Sequence, residues 1–205
     1  MVFEGLIWKL YKIAEVIAKI VYLNLLWVVF SLLGVVALGL FPATAAMFSV
    51  IRKWLIGEND IPIFKTFLEH YKSEFVQTNL LGYAMILLGA VLYIDLRFFQ
   101  SSGGIITLVI SYFFLFLLLV YFVVLLYIFP VFVHYQFKTF EYIKYALILA
   151  VGRPFQTIFM IVGSLLVLTL LRMVPILIIY IGGSLLCYVL MRISIKSFPK
   201  EETQE

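Results

Sequence analysis

The residues able to do chemistry are few and scattered. His70 and His134 are the two histidines of the 205-residue chain, and neither has a second ligand at a metal-binding spacing such as H-x-x-x-H. His134 falls in Val133-His134-Tyr135, where an apolar run meets polar sequence, which suits a hydrogen-bonded imidazole. His70 stands beside Glu69 on the polar side of a short amphipathic stretch. Cys187, the single cysteine, lies between Leu186 and Tyr188, so neither an internal disulfide nor a thiolate metal site is expected. Gly103-Gly104 and Gly182-Gly183 lack the Lys and Ser/Thr that a phosphate loop needs. Asp95 and Arg97, two positions apart, do not face each other on a helix. No catalytic residue, no metal, no cofactor and no enzymatic activity is expected from this inventory.

The elements that hold these residues are apolar. Hydrophobic residues make up 65% of the chain and charged residues 13%, whereas a soluble domain has about half and a quarter. The net charge of +4 is spread over short connectors with no nucleic-acid signature, so membrane lipid is the expected partner and nucleic acid is not. Five charge-free stretches, near 20–41, 79–94, 104–130, 155–171 and 173–191, approach or exceed the length that crosses about 30 Å of hydrocarbon at 1.5 Å per residue. They lack the alternating polar residues of barrel strands. The expected fold is an all-α membrane protein with about five transmembrane helices and interfacial amphipathic helices. Its parts are an interfacial N-terminal helix over 1–19, a membrane domain over 20–193 and a polar tail over 194–205. The run over 20–41 is too long for a signal-peptide core, so Ala43-Thr44-Ala45 is not taken as a cleavage site.

Two connectors gather the remaining polarity. The first, 42–78, holds Arg52, Lys53, the turn-like Gly57-Glu58-Asn59-Asp60 and an amphipathic stretch with Ile61, Phe64, Leu68, Tyr71 and Phe75 on one face. Whether 42–56 lies in the interface or dips into the bilayer stays open from sequence. The second, 131–154, ends at Arg153-Pro154. Phe41-Pro42 and Phe129-Pro130 close the first and third spans, and Gln77-Thr78 and Gln156-Thr157 open new ones, which suggests an internal repeat with extra residues around Gly57–Asp60. With five crossings, Lys and Arg of both connectors and of the tail share one side, against Lys9, Lys12, Lys19, Arg97 and Arg172. The positive-inside rule then puts the C-terminus in the cytoplasm and the N-terminus outside.

Asn24-Leu25-Leu26-Trp27, then Leu40-Phe41-Pro42-Ala43-Thr44-Ala45-Ala46-Met47 and Val50-Ile51-Arg52-Lys53-Trp54, resemble the YesL family of small bacterial integral membrane proteins. Family members carry N-L-L-W, then G-P-A-T-A-A, then an Arg-Lys pair; Phe41 stands here where Gly precedes the proline. The resemblance implies a multi-pass protein of the bacterial cell membrane with no established biochemical activity. It also implies a link to carbohydrate use, since family members are often encoded beside sugar-importing ABC transporters.

The expected function is therefore a non-catalytic accessory subunit associated with carbohydrate ABC import, touching the permease subunits. The second expectation is a small stand-alone transporter or channel. Small-residue faces such as Gly34–Gly39 are also compatible with a homo-oligomer. The expected partner-binding residues are Pro42, Thr44, Arg52, Lys53, Phe64, Phe67, Tyr71 and Phe75.

Overall fold

In lipid a backbone N–H or C=O must find its partner within its own segment. The computed structural model, which describes residues 2–101 and 103–198, is helical accordingly, with no strand among the described residues. Its helices are α1 (Val2–Leu33), α2 (Leu40–Leu55), α3 (Ile63–Ser73), α4 (Phe75–Ser101), α5 (Ile105–His134), α6 (Glu141–Gly152), α7 (Pro154–Met173) and α8 (Gly183–Ser194). A π-helical turn, Ile178–Gly182, leads into α8, and a 3₁₀ turn, Ile195–Ser197, ends it. Five segments are long and apolar enough to cross a membrane: Ala14–Leu33, Phe75–Ser101, Ile105–His134, Pro154–Met173 and Ile178–Ser197.

The first span differs from the expected 20–41. α1 is continuous from Val2, with no break at residue 19, and stops at Leu33. The chain then reverses through Gly34–Gly39, where Val35 and Val36 adopt φ of 56° and 59°. These are left-handed values that β-branched residues rarely adopt. The two glycines close this turn: a Cβ on Gly34 would run into the Gly39 backbone, and one on Gly39 would sit 2.6 Å from the Phe30 and Ser31 carbonyls. Past the turn, α2 runs back antiparallel to α1, so that Thr44 meets Trp27 and Asn59 meets Lys19.

α2 occupies the centre of the molecule, packed against α1, α3, α4, α5 and α8. Small side chains allow this. Pro42, Ala43, Ala45 and Ala46 are buried, and Met47, Phe48, Val50 and Ile51 fill the space around them. The segment expected as a connector is thus core. At 16 residues it is about 24 Å long, short of a full crossing.

The other span ends shift as well. α4 begins at Phe75 and runs past residue 94 to Ser101. α5 continues through Pro130 to His134, α7 ends at Met173, and the last crossing runs over Ile178–Ser197 rather than 173–191. The side chains of Phe3, Leu6, Ile7, Leu10 and Ile13, on the expected N-terminal apolar face, lie outside the described residues, as does the tail beyond Phe198.

A repeat is present in a form other than the Phe-Pro pattern suggests. Leu55 and His134, Ser73 and Gly152, and Phe75 and Pro154 end or begin corresponding helices, each pair 79 residues apart. In both copies a short helix packs back on the helix before it, α3 on α2 and α6 on α5. Thr78 and Thr157 both donate to the carbonyl four residues earlier, Glu74 at 2.8 Å and Arg153 at 3.1 Å. Pro42 and Pro130 are not equivalent, since one opens α2 and the other lies in the last turn or so of α5.

α4 with α5, and α7 with α8, form two further antiparallel pairs. Tyr121 of α5 reaches the Met85 carbonyl of α4 at 2.9 Å. A Cβ on Gly163 of α7 would meet Val189 and Ile193 of α8. Their tips at 103–104 and 174–177 lie at one end of the molecule. At the other end Lys19, Asn59 and Arg192 line one cavity, and the rings of His134 and Phe198 stack at 4.0 Å.

Candidate functional site

Most polar side chains inside the spans bond within their own helix, while Ser31 Oγ, Asn79 Oδ1 and Ser197 Oγ are buried without a partner. Ser111, Ser164 and Thr169 each donate to a carbonyl three or four residues back, at 2.7 Å. Asn24, like Asn79, Tyr83 and Tyr121, reaches backbone of another segment. Its Nδ2 donates to the Ile179 carbonyl at 2.6 Å and its Oδ1 accepts from the Ser184 N–H at 3.0 Å. The i→i+5 bonding of the π turn takes these backbone groups out of the regular α-helical ladder, and Asn24 of α1 supplies their partners.

Charged and imidazole side chains gather instead at the end that carries Arg52. The last turns of α2, the end of α3, the start of α4 and the end of α5 enclose a cavity of about 480 Å³ lined by Arg52, His70, Glu74, Gln77, His134 and Tyr142 among others. Arg52 Nε donates to His134 Nδ1 at 3.3 Å. A guanidinium only donates, so Nδ1 is the acceptor and the proton of a neutral His134 sits on Nε2. His70 Nδ1 meets Glu74 Oε1 at 2.9 Å, one helical turn away. Glu74 Oε2 is buried without a partner. Gln77 Nε2 donates to the Phe137 carbonyl at 3.1 Å, which ties α4 to the α5–α6 connection. The Tyr142 hydroxyl accepts from the Phe137 N–H at 3.0 Å and donates to the Tyr135 carbonyl at 3.3 Å.

This arrangement offers guanidinium donors, a carboxylate acceptor and an imidazole against an aromatic wall. It suits a polar group carrying both donors and acceptors, such as a backbone loop or a hydroxylated ligand. Among the described residues no group of three or more His, Cys, Asp or Glu is placed to hold a metal.

Of the residues expected at a partner surface, Arg52 alone lines this cavity. Pro42 is buried in α2, and Thr44 accepts the Trp27 indole N–H at 3.0 Å. Phe67 is fully buried. Tyr71 donates to the Phe30 carbonyl at 3.3 Å and packs edge-on to Phe30 and Phe75. The apolar face of α3 is thus covered by the chain itself, while Phe64 remains 48% exposed and Lys53 half-buried. His70, Glu74, Gln77 and His134 were not among the expected residues. The Arg52–His134 bond depends on α2 returning to the α5 end, which the hydropathy pattern does not display, whereas His70 and Glu74 pair one helical turn apart.

The family model "Protein of unknown function, DUF624" matches residues 20–96. Three proteins of Bacillus subtilis (strain 168) are similar along nearly the whole chain. Uncharacterized protein YesV is 41% identical over 195 residues, covering 95% of this chain and 94% of that protein. Uncharacterized protein YteU is 36% identical over 190 residues, covering 93% and 85%. Uncharacterized protein YesL is 35% identical over 182 residues, covering 89% and 86%. No solved structure matches the chain. The DUF624 match spans the hairpin, α3 and most of α4, and the three relatives extend the likeness over α5 to α8: the chain belongs to the YesL-like family of multi-pass membrane proteins that carry DUF624.

Proposed function

We propose that the protein is a non-catalytic membrane subunit that supports a carbohydrate ABC importer of the bacterial cell membrane. The observation that carries this reading is the one-ended distribution of polarity. Most polar groups within the spans bond to backbone or to one another, whereas Arg52, Glu74, Gln77 and the two histidines meet at one end. A pump or ion-coupled carrier keeps ionisable groups at membrane depth; here a polar end is offered to a partner instead. The link to sugar import comes from the family resemblance.

Charge supports a cytoplasmic location for that end. Among the described basic residues, Arg97 and Arg172 alone sit near the opposite tips. Lys19 and Arg192 share a cavity with Asn59, so α1, the α2–α3 loop and the end of α8 meet on one side. The positive-inside rule then favours both termini in the cytoplasm. The expected external N-terminus depended on 20–41 being a single crossing.

Affinity purification of the full chain from native membranes tests the reading. Sugar-importer permease subunits are expected to co-purify, and deletion of the gene is expected to slow oligosaccharide uptake. Absence of any permease together with unchanged uptake would overturn it. A small transporter is the second reading, favoured by the 79-residue repeat of α2–α3–α4 in α5–α6–α7, since carriers are often built from repeats. It requires solute flux through the purified protein in liposomes.

A further inference from the structure

Arg52 and Trp54 are two residues apart on α2, about 200° around the helix, and so face different cavities. The Arg52 side holds the polar site described above. The Trp54 side opens on a smaller cavity of about 210 Å³ between α1, the end of α2 and α8, lined by Val16, Lys19, Ile20, Leu55, Asn59 and Arg192 with Trp54 and Tyr188.

Its charged lining is cationic, Lys19 and Arg192. Lys19 Nζ is held by Glu15 at 2.6 Å and by the Asn59 carbonyl at 3.3 Å, which leaves one of its three protons. Arg192 gives one bond, to the Tyr188 hydroxyl at 3.2 Å, and keeps the rest of its five donors. The indole Nε1 of Trp54 is buried with no acceptor. Lys19 and Arg192 therefore border the space with donors to spare, and the Trp54 indole N–H lies buried in its wall. Val16, Ile20 and Leu55 make the remaining wall apolar, and the carboxylates of Glu15 and Asp60 line the adjoining cavity. Beside it, Lys12 sits 3.8 Å over the Trp8 ring, which is 58% exposed, as suits an aromatic anchor at headgroup level.

We propose that this cavity binds the phosphodiester headgroup of an anionic membrane phospholipid. The phosphate accepts from Lys19, Arg192 and the Trp54 indole, and the acyl chains lie along Val16 and Ile20. Basic pockets between helices on the cytoplasmic side recognise anionic headgroups in this way. The inference does not depend on an importer partner.

Native mass spectrometry of the full-length protein in detergent tests it, with phosphatidylglycerol, phosphatidylcholine and inorganic phosphate titrated separately. Phosphatidylglycerol is expected to bind preferentially, with affinity falling about fivefold in Lys19→Gln or Arg192→Gln and about thirtyfold in the double variant. Lys138→Gln, far from the cavity, is expected to bind as the parent does. Trp54→Phe supplies a readout that simple packing would not move. Without lipid it gains thermal stability, because a buried unpaired donor is removed; with phosphatidylglycerol that gain is expected to disappear. Equal binding of the two lipids, or parental affinity in the double variant, would overturn the proposal. Displacement of the lipid by inorganic phosphate at matched concentration would overturn the lipid assignment and leave a free-phosphate site.

Discussion

The indole of Trp27 donates to the hydroxyl of Thr44 at 3.0 Å, and Thr44 passes its own proton to the Leu40 carbonyl at 2.7 Å. These two bonds join the arms of the α1–α2 hairpin near its turn. Thr44→Val keeps the shape of the side chain but leaves the Trp27 N–H without its acceptor. The expected loss is about 1–3 kcal/mol, seen as a lower midpoint for thermal unfolding in detergent. Thr44→Ser, which retains the hydroxyl, is expected to lose less.

Gly39 closes the turn between the same arms. A side chain there meets the Phe30 and Ser31 carbonyls, so Gly39→Leu is expected to prevent α2 from returning along α1. A disulfide between cysteines placed at Val16 and Leu55, which line one cavity, reports the closure. With Cys187 replaced by Ser, the bond is expected to form in the parent and to fail in the Gly39→Leu variant.

Asn24 is expected to matter more than its place in an apolar run suggests. Asn24→Leu removes both bonds to the π-helical region and leaves the Ser184 N–H and the Ile179 carbonyl unpaired. A loss of about 1–2 kcal/mol is expected, with faster amide exchange confined to 178–184. Exchange unchanged there would show that Asn24 does not hold the π turn.

Burial raises the Tyr71 phenol above its ordinary value of 10.0. The folded state therefore prefers the protonated ring. Its stabilising effect is complete below the ordinary tyrosine value and is lost as pH rises through the raised one. Alkaline titration is expected to loosen α3 from Phe30. Tyr71→Phe, which keeps the ring contacts but has no proton to lose, is expected to withstand higher pH. Identical alkaline midpoints for parent and variant would contradict this.

The spans from α4 onward were legible in the sequence because charge-free runs and membrane thickness dictate them. Their ends moved by up to seven residues where polar side chains such as Thr78, Asp95 and Arg97 fold into the helix. The hairpin was not legible. Leu25 to Leu40 reads as continuous apolar helix by hydropathy, and the break rests on Gly34 and Gly39 meeting face to face. A signal was available in the small residues Pro42, Ala43, Ala45 and Ala46, which suit a helix packed on several sides rather than one lying in an interface. The face expected for α3 omitted Phe67, which is fully buried, and included Phe64, which is 48% exposed; α1 and α2 of the same chain cover the helix. The polar cavity was hidden for the same reason: Arg52 and His134, 82 residues apart, meet only once α2 has folded back.

That return brings polarity to one end, and side-specific cysteine labelling in intact cells tests it most directly. In a chain with Cys187 replaced by Ser, single cysteines at Lys12, Glu58 and Lys196 are expected to react only with membrane-permeant reagent. Cysteines at Arg97 and Arg172 are expected to react with impermeant reagent from outside. Labelling of position 12 from outside, with 58 and 196 protected, would contradict the returning hairpin and the single cytoplasmic recognition face built on it.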